Sequence, residues 1–353
     1  MITTRPIKET DNSILLEIEK LCPQGDETRA LGIDKEDIIA RYRLYDNWRV
    51  LVAEYGGEVA GWTGWTIKDD PVRKSKYAYL AEVVVSPKSS GRGVGTKLVS
   101  EAEKDAKERG ADYIYCYIYE PNQASKSLFQ KLGYSEMASV NQSAVAVYKK
   151  ANISQKISIK HPEIGDIQDI VNLINDFNKN RAHFVPFTGE SFEKYVNMIP
   201  AYSMENFWVA KDGEEVVACA GLWDFSQLAD LYYAKEPMSL RAMGIIFRVL
   251  GHLIKLPTIY PEGEHFNLRL LANYAFHPKN AEAMHELIKF LNNRLLESGI
   301  DCLLVVVDSV DPAFEIVKMH QPQTEIWRVY AKSLDGDLAK FSPFYVDVRD
   351  LIP

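Results

Sequence analysis

The 353-residue chain is predicted to be two tandem copies of one α/β (α+β) domain, each a sheet flanked by helices. The prediction rests on a strand that runs through a glycine loop into an amphipathic helix (VVVSPKSSGRGVGTKLV, residues 83–99), a helix-opening stretch downstream (NQASKSLFQKLGY, 122–134), and an internal repeat. Val52-Ala53-x-x-Gly56-x-Glu58-Val59 recurs 157 residues later as Val209-Ala210-x-x-Gly213-x-Glu215-Val216. Ser86-Pro87-Lys88, after a strand, recurs 191 residues later as His277-Pro278-Lys279, so the second copy carries 34 extra residues between its third and fourth strands. Gly110-Ala111-Asp112 matches Gly299-Ile300-Asp301 at a spacing of 189; two residues are lost where the glycine loop should be, and KNAEAMHEL stands there instead.

In the first copy a short strand at 3–7 leads to helices at 13–21 and 35–44, the latter opened by Asp34 as N-cap. Residues 47–55 and 58–67 alternate about Gly56-Gly57 as a hairpin. The nearly continuous apolar run 77–85 suits the centre of a sheet. The helix after the glycine loop puts Leu98, Val99, Ala102 and Ala106 on one face and ends near Gly110. A strand at 112–119, a helix at 122–132 and a strand at 143–150 complete the copy, and the polar stretch 150–157 is a linker. The expected domains are therefore 1–150 and 157–334, with a tail, 335–353, too apolar to hang loose and expected to dock on a domain. The insert contains an apolar helix around 240–254; with Phe225, Tyr232, Tyr233 and Tyr260 it is a candidate to close over the first domain, or else a scaffold, dimer or regulatory surface.

A hydrophobic share of 46% with 25% charged residues marks a soluble globular chain, and the net charge of −8 argues against non-specific nucleic-acid binding. The four cysteines lie far apart with no CxxC, as expected of reduced thiols in the cytoplasm. MITTRPIKET lacks the apolar core of a signal peptide, and the apolar segment 243–254 contains Arg248 and His252 and is too short to span a bilayer, so no membrane partner is expected. His277 and His285 have no carboxylate or cysteine to complete a ligand set, so no metal is expected.

Glycines at this density let backbone N–H groups face an anion at a helix start. The nucleoside triphosphate loop, GxxxxGK followed by Ser or Thr, does not fit, and neither does the dinucleotide GxGxxG: here Gly91, Gly93 and Gly95 give GxGxG after the fourth strand. The segment resembles the acyl-CoA pyrophosphate loop of the GNAT superfamily of N-acyltransferases, Arg/Gln-x-x-Gly-x-Gly/Ala, with Ser90 where Arg or Gln is usual. Asn122, Ser125, Leu128, Phe129, Gly133 and Tyr134 match the family's following helix, and the order of elements matches over the first half. Tandem pairs with one degenerate copy occur in this superfamily, and ACAGLWDF and LIKLPTIYPEGEHF distantly resemble the C-terminal region of plant Hookless-type homologues.

The resemblance implies a mixed, mostly antiparallel central sheet in each copy. It implies direct transfer of an acetyl group from acetyl-CoA, as co-substrate, to a primary amine: a small amine, a lysine or an α-amino group. The cofactor-binding residues it points to are Val83, Val84 and Val85 for the thioester and pantetheine, Ser90, Gly91, Arg92, Gly93, Val94, Gly95 and Thr96 for the pyrophosphate, and Asn122, Ser125 and Phe129 on the next helix. The amides of residues 91–96 supply most of the anion site.

Glu82, the one acidic residue on its strand, is the catalytic candidate as general base, against a reading in which it faces solvent or pairs with a neighbouring strand; Glu120 is the alternative, and the terminal carboxylate of Pro353 a remote one. Phe129 stands where the family has a proton-donating tyrosine, which leaves water or a tyrosine of the alternating set Tyr113, Tyr115, Tyr117 and Tyr119 for that task, unless those rings only pack. The expected partners are acetyl-CoA and the amine, in a monomer or homodimer. The competing function is a non-catalytic acyl-CoA-binding sensor or partner-binding protein.

Overall fold

The computed structural model describes residues 1–251, 253–335, 338 and 341–351. In the first half β1 (Ile2–Pro6) precedes α1 (Asn12–Lys20), β2 (Gln24–Gly25), β3 (Ala30–Asp34), β4 (Trp48–Tyr55), β5 (Glu58–Asp70), β6 (Ser75–Val85), α2 (Val94–Glu108), β7 (Tyr113–Tyr119), α3 (Gln123–Lys131) and β8 (Ser135–Ala146). The second half contains β9 (Ser158–Lys160), α4 (Ile167–Asn178), α5 (Gly189–Met198), β10 (Phe207–Asp212), β11 (Glu215–Trp223), β12 (Asp230–Lys235), α6 (Met238–Leu250), β13 (Leu268–Phe276), α7 (Ala281–Glu297), β14 (Cys302–Asp308), α8 (Pro312–Lys318) and β15 (Gln323–Ser333).

Twelve strands form one sheet in the order β1-β4-β5-β6-β7-β15-β8-β14-β13-β11-β10-β9. Two copies side by side would each end on their own last strand; instead the last strands are exchanged. β15, from the second half, pairs along β7 from Trp327↔Tyr119 to Ser333↔Tyr113, while β8, from the first, pairs along β14 from Cys302↔Ala146 to Asp308↔Val140. β15 and β8 pair with each other, so hydrogen bonds run unbroken through the seam. A hydrophobic cluster crosses it, joining Tyr77, Tyr79 and Tyr115 to Phe184, Leu304 and Phe344. Among the described residues no helix is long and apolar enough to cross a membrane.

The two halves share one further feature. β6 and β7 are parallel neighbours over only three residue pairs, Tyr77↔Tyr113 to Tyr79↔Tyr115, and then part; β13 and β14 do the same after Leu268↔Cys302 to Leu270↔Leu304. Each half therefore contains a wedge of unpaired strand backbone, whose polar groups need partners. In the second half the tail fills the wedge: Tyr345, Val346 and Val348 lie against Leu271, Asn273 and Val306, and the void left is about 20 Å³. The buried Asp308 carboxylate anchors the tail by accepting from the Phe344 amide at 2.9 Å and the Ser342 hydroxyl at 3.0 Å, and Tyr345 N–H donates to the Ala182 carbonyl at 2.8 Å. Of the tail expected to dock, 336–337, 339–340 and 352–353, with the Pro353 carboxylate, lie outside the described residues.

Two sequence expectations fail locally. The helix expected at 35–44 is a turn followed by a single 3-10 turn, Arg41–Leu44. Its intended start is taken: Ala30–Asp34 pairs with β12 as a strand, and Asp34, the expected N-cap, binds Lys20 and His265 instead. The last strand of the first half is Ser135–Ala146, not 143–150, because pairing with both β15 and β14 sets its length and not its apolar pattern alone.

Phe344 is wholly buried among Tyr117, His183 and Phe341. Phe344→Ala should lower the unfolding free energy by about 3–5 kcal/mol, read by urea denaturation; a loss below about 1 kcal/mol would show that the tail does not complete the core.

Candidate active site

The first-half wedge is open. The gap between the ends of β6 and β7 widens into a cleft of about 550 Å³ that reaches from the glycine loop to a buried cluster of charges. At the outer end β6 leaves the sheet after Val85, makes one 3-10 turn at Pro87–Ser89, and enters α2 through the loop. Gly93, the helix N-cap, has φ of +85°, which L side chains rarely adopt, and offers no side chain to cap the helix. The first-turn amides of Val94, Gly95 and Thr96 have no carbonyl one turn back to bond, and no acidic residue stands in that turn. This cradle fits a pyrophosphate. In the second half the corresponding turn, Pro278–Asn280, runs directly into α7, whose first turn carries Glu282, a negative charge where an anion would sit.

The structure brings most of the sequence-predicted positions to this cleft. Val83, Val84 and Val85 form one wall, Ser90, Gly91, Gly93, Val94, Gly95 and Thr96 its outer end, and Asn122, Ser125 and Phe129 the α3 side. Asn122 caps α3, its Oδ1 accepting from the Ser125 amide at 3.0 Å. Arg92 is not among the walls: its amide bonds the Ser89 carbonyl and its guanidinium lies over the Tyr55 ring. Glu120 also stands apart, paired with Arg328 and Lys126.

At the inner end Glu82 is buried. Its Oε1 binds the Lys35 ammonium, its Oε2 accepts from the Tyr42 hydroxyl at 2.6 Å, and the Arg41 guanidinium is 3.6 Å away. Burial alone would raise this carboxyl, but Lys35 and then Arg41 hold it below the usual glutamate range. Lys35 also donates to Glu19 at 2.8 Å, and there burial prevails, pushing the Glu19 carboxyl up. Glu19 lines the cleft at the end of α1, and sequence reasoning missed it: nothing in EIEKLC separates it from its exposed neighbours.

The geometry of Glu82 depends on a bulge. β5 pairs Gly64 with Glu82 but Trp65 with Leu80, leaving Ala81 unpaired, and a Cβ on Gly64 would lie 2.2 Å from the Tyr42 ring. Only glycine lets Tyr42 reach the carboxylate. The second half repeats the device with the charge removed: a Cβ on Gly221 would lie 2.1 Å from the Tyr202 hydroxyl, which donates to Asn273 at 3.0 Å, and Asn273 donates to tail residue Tyr345.

The four tyrosines of β7 differ in their partners. Tyr113 donates to Asp70, Tyr115 to Asp350 and Tyr119 to Glu325, while the buried Tyr117 hydroxyl makes no hydrogen bond, its neighbour Tyr115 being already committed. Tyr117 lines the cleft, and burial followed by the Asp350 charge pushes it well above the ordinary tyrosine value, so it stays protonated. Burial holds the two thiols in the cleft in their protonated form. Burial, reinforced by Glu19, pushes Cys22 up to about 11, and burial raises Cys116 further, so neither supplies the thiolate that a covalent acyl-cysteine needs.

The model of the "Acetyltransferase (GNAT) family" matches residues 14–134. The chain is 34% identical over 127 residues to "Acetyltransferase plu1384" of Photorhabdus laumondii, covering 35% of this chain and 81% of that protein. It therefore belongs to the GNAT family of acetyltransferases. It is also 30% identical over 171 residues to "Probable N-acetyltransferase HLS1" of Arabidopsis thaliana, covering 40% of this chain but only 41% of that longer relative. The fold over the whole length is similar to that of a "Tandem GNAT protein from the clavulanic acid biosynthesis pathway", with a TM-score of 0.58 at 10% identity, covering 96% of this chain and 100% of that one.

Tyr42→Phe leaves a Glu82 oxygen without its donor and should cost about 1–3 kcal/mol of stability at neutral pH by urea denaturation. Because the folded value of Glu82 lies below its ordinary 4.5, its contribution is complete above that pH and is lost as pH falls through the folded value. Wild-type stability should therefore decline on acidification below about pH 4.5, and the Tyr42→Phe deficit should shrink there; a deficit that grows with acid would contradict the assignment.

Proposed function

We propose that the chain transfers an acetyl group from acetyl-CoA to a primary amine in one direct step, with one site per chain, in the first half. The observation that carries this reading is the open wedge between β6 and β7, with a phosphate cradle at one end and a buried carboxylate pair at the other. The loop amides hold the pyrophosphate, and the unpaired N–H groups of β6 past the bulge face the thioester carbonyl, where negative charge develops. When bound, acetyl-CoA supplies the activated acyl carbon: the amine nitrogen bonds to it and the carbon–sulfur bond breaks.

The chain's own residues manage the protons. Glu82, held ionised between Lys35 and Arg41, is a weak base by itself, while Glu19, raised by burial and joined to it through Lys35, is better matched to accept the proton that the amine loses. We assign the base to this pair, with Glu82 fixing Lys35 and Glu19 receiving. Phe129 packs at 4.9 Å on Tyr134 and has no proton to give; we assign the proton for the departing thiolate to Tyr117, a residue of the cleft wall whose buried hydroxyl has no other partner. The four free cysteines suit a reducing cytoplasm.

A thiol-release assay with acetyl-CoA and an amine panel tests the reading. Turnover is expected, with Gly93→Asp plus Gly95→Asp abolishing it, Glu19→Gln lowering kcat about a hundredfold or more, and Tyr117→Phe lowering it about tenfold. Acetyl-CoA binding without transfer to any amine would instead make the protein an acyl-CoA sensor, and turnover that survives both aspartates would remove the loop from the site.

A further inference from the structure

Beyond the bulge the cleft meets a second, smaller space. A chamber of about 70 Å³ shares Leu31, Ile33, Ala81 and Tyr117 with the cleft and lies at the seam of the two halves. Its other walls come from the exchanged strands and the tail, through Val140 of β8, Trp327 of β15 and Asp350, so neither half can form it alone. The volume holds a few heavy atoms, enough for a carboxylate with a short carbon stem and too little for a sugar ring.

The chamber's polar groups are unequal. Two side chains on its walls have a buried N–H with no partner: Nε of Arg41 and Nε1 of Trp327. A buried donor left unpaired costs about 1–3 kcal/mol, and two side chains that each carry one stand together in the walls of this small space. Arg41 also has no hydrogen-bonded carboxylate. Its other nitrogens meet the Tyr79 hydroxyl at 3.2 Å and the Asp350 carbonyl at 3.5 Å, and Glu82, at 3.6 Å, is already bound by Lys35 and Tyr42. The acidic group on the wall offers nothing to a cation, because the Asp350 carboxylate takes Lys68 at 2.8 Å, Tyr45 at 2.6 Å and Tyr115 at 2.8 Å.

We infer that this chamber receives a carboxylate of the acceptor, so that the substrate class is a monoamine that also carries a carboxylate, as an amino acid does, and not a polyamine or aminoglycoside. The inference rests on the acetyl-transfer reading for the amine end and on the chamber alone for the carboxylate end. Arg41 and Trp327 donate to the carboxylate, the apolar walls enclose its stem, and the amine is left facing the cleft past Ala81. The second half thereby acquires a role: β15 carries Trp327 into the first half's site, where its ring packs on Tyr119 at 5.2 Å.

The test uses the full chain and three sets of probes: the common α-amino acids, the monoamines left by their decarboxylation, and the diamines putrescine and cadaverine. Thiol release gives kcat and KM, and calorimetry gives binding to the CoA-saturated protein. At least one amino acid should exceed its decarboxylated counterpart about tenfold or more in kcat/KM, with the diamines weakest. Trp327→Phe, which keeps the ring and removes the donor, should raise KM for that amino acid about fivefold or more with kcat and the KM for acetyl-CoA held. Diamines or monoamines used as well as the amino acids overturn the inference while leaving the transferase standing, as does a Trp327→Phe effect equal for all three sets. If no amine turns over, binding decides: amino-acid binding that weakens in Trp327→Phe supports the chamber and removes the transfer reading, and no amino-acid binding overturns the chamber as well. The comparison of probes on the wild-type protein stands even where the variant does not fold.

Discussion

Two parallel strands that separate after three residue pairs leave backbone donors and acceptors without partners, and those groups must be met by something other than the sheet. This constraint occurs twice in the chain, at β6/β7 and at β13/β14. The second wedge is closed from within: the tail lays Tyr345 and Val346 into it, Asp308 holds the tail amide, and Asn273 makes a neutral hydrogen bond where the first half has a carboxylate. The first wedge stays open: a cleft of about 550 Å³ runs from the glycine loop to the buried Glu19 and Glu82. One molecule thus shows both ways of satisfying the same geometry.

The exchanged strands support the parted ones on their other sides. β7, parted from β6 beyond three pairs, has seven residue pairs with β15, from Trp327 to Ser333. In return β8 supports β14 over seven pairs. The seam then carries a buried network in which Lys68 and Arg349 hold Asp347 well below the usual carboxylate range, against the burial that would raise it. Removing one partner from such a network leaves a buried unpaired charge, which is far more costly than the net gain of the intact pair. The two halves are for that reason joined by one continuous sheet and one buried network, although the repeat is still visible.

Much of this was legible in the residues. The glycine loop and the Asn122 helix fall where their spacing puts them, Glu82 lines the cleft, and the offsets of 157 and 191 residues align Gly64 with Gly221 and Glu82 with Asn273, which occupy corresponding places in the two halves. What stayed hidden is non-local. The turn at 35–44 has helical periodicity, yet pairing of Ala30–Asp34 with β12, almost 200 residues away, takes its N-cap. Glu19 is distinguished only by burial beside Lys35, and Trp327 only by an exchange of strands that no local pattern encodes. Tyr117 could be placed on the right face by alternation, but that its hydroxyl alone of the four lacks a partner depends on Asp70, Asp350 and Glu325 arriving from distant segments.

The central claim is that one of two homologous wedges is kept open for an acyl-CoA and the other is closed by the chain itself. Its most direct test is the stoichiometry of acetyl-CoA binding to the full chain by isothermal titration calorimetry. One equivalent per chain is predicted, with no second event at higher ligand concentration. Two equivalents, or a single equivalent that disappears when Glu282 or the tail is altered and the first-half loop is intact, would place the cofactor in the wrong half and contradict the account.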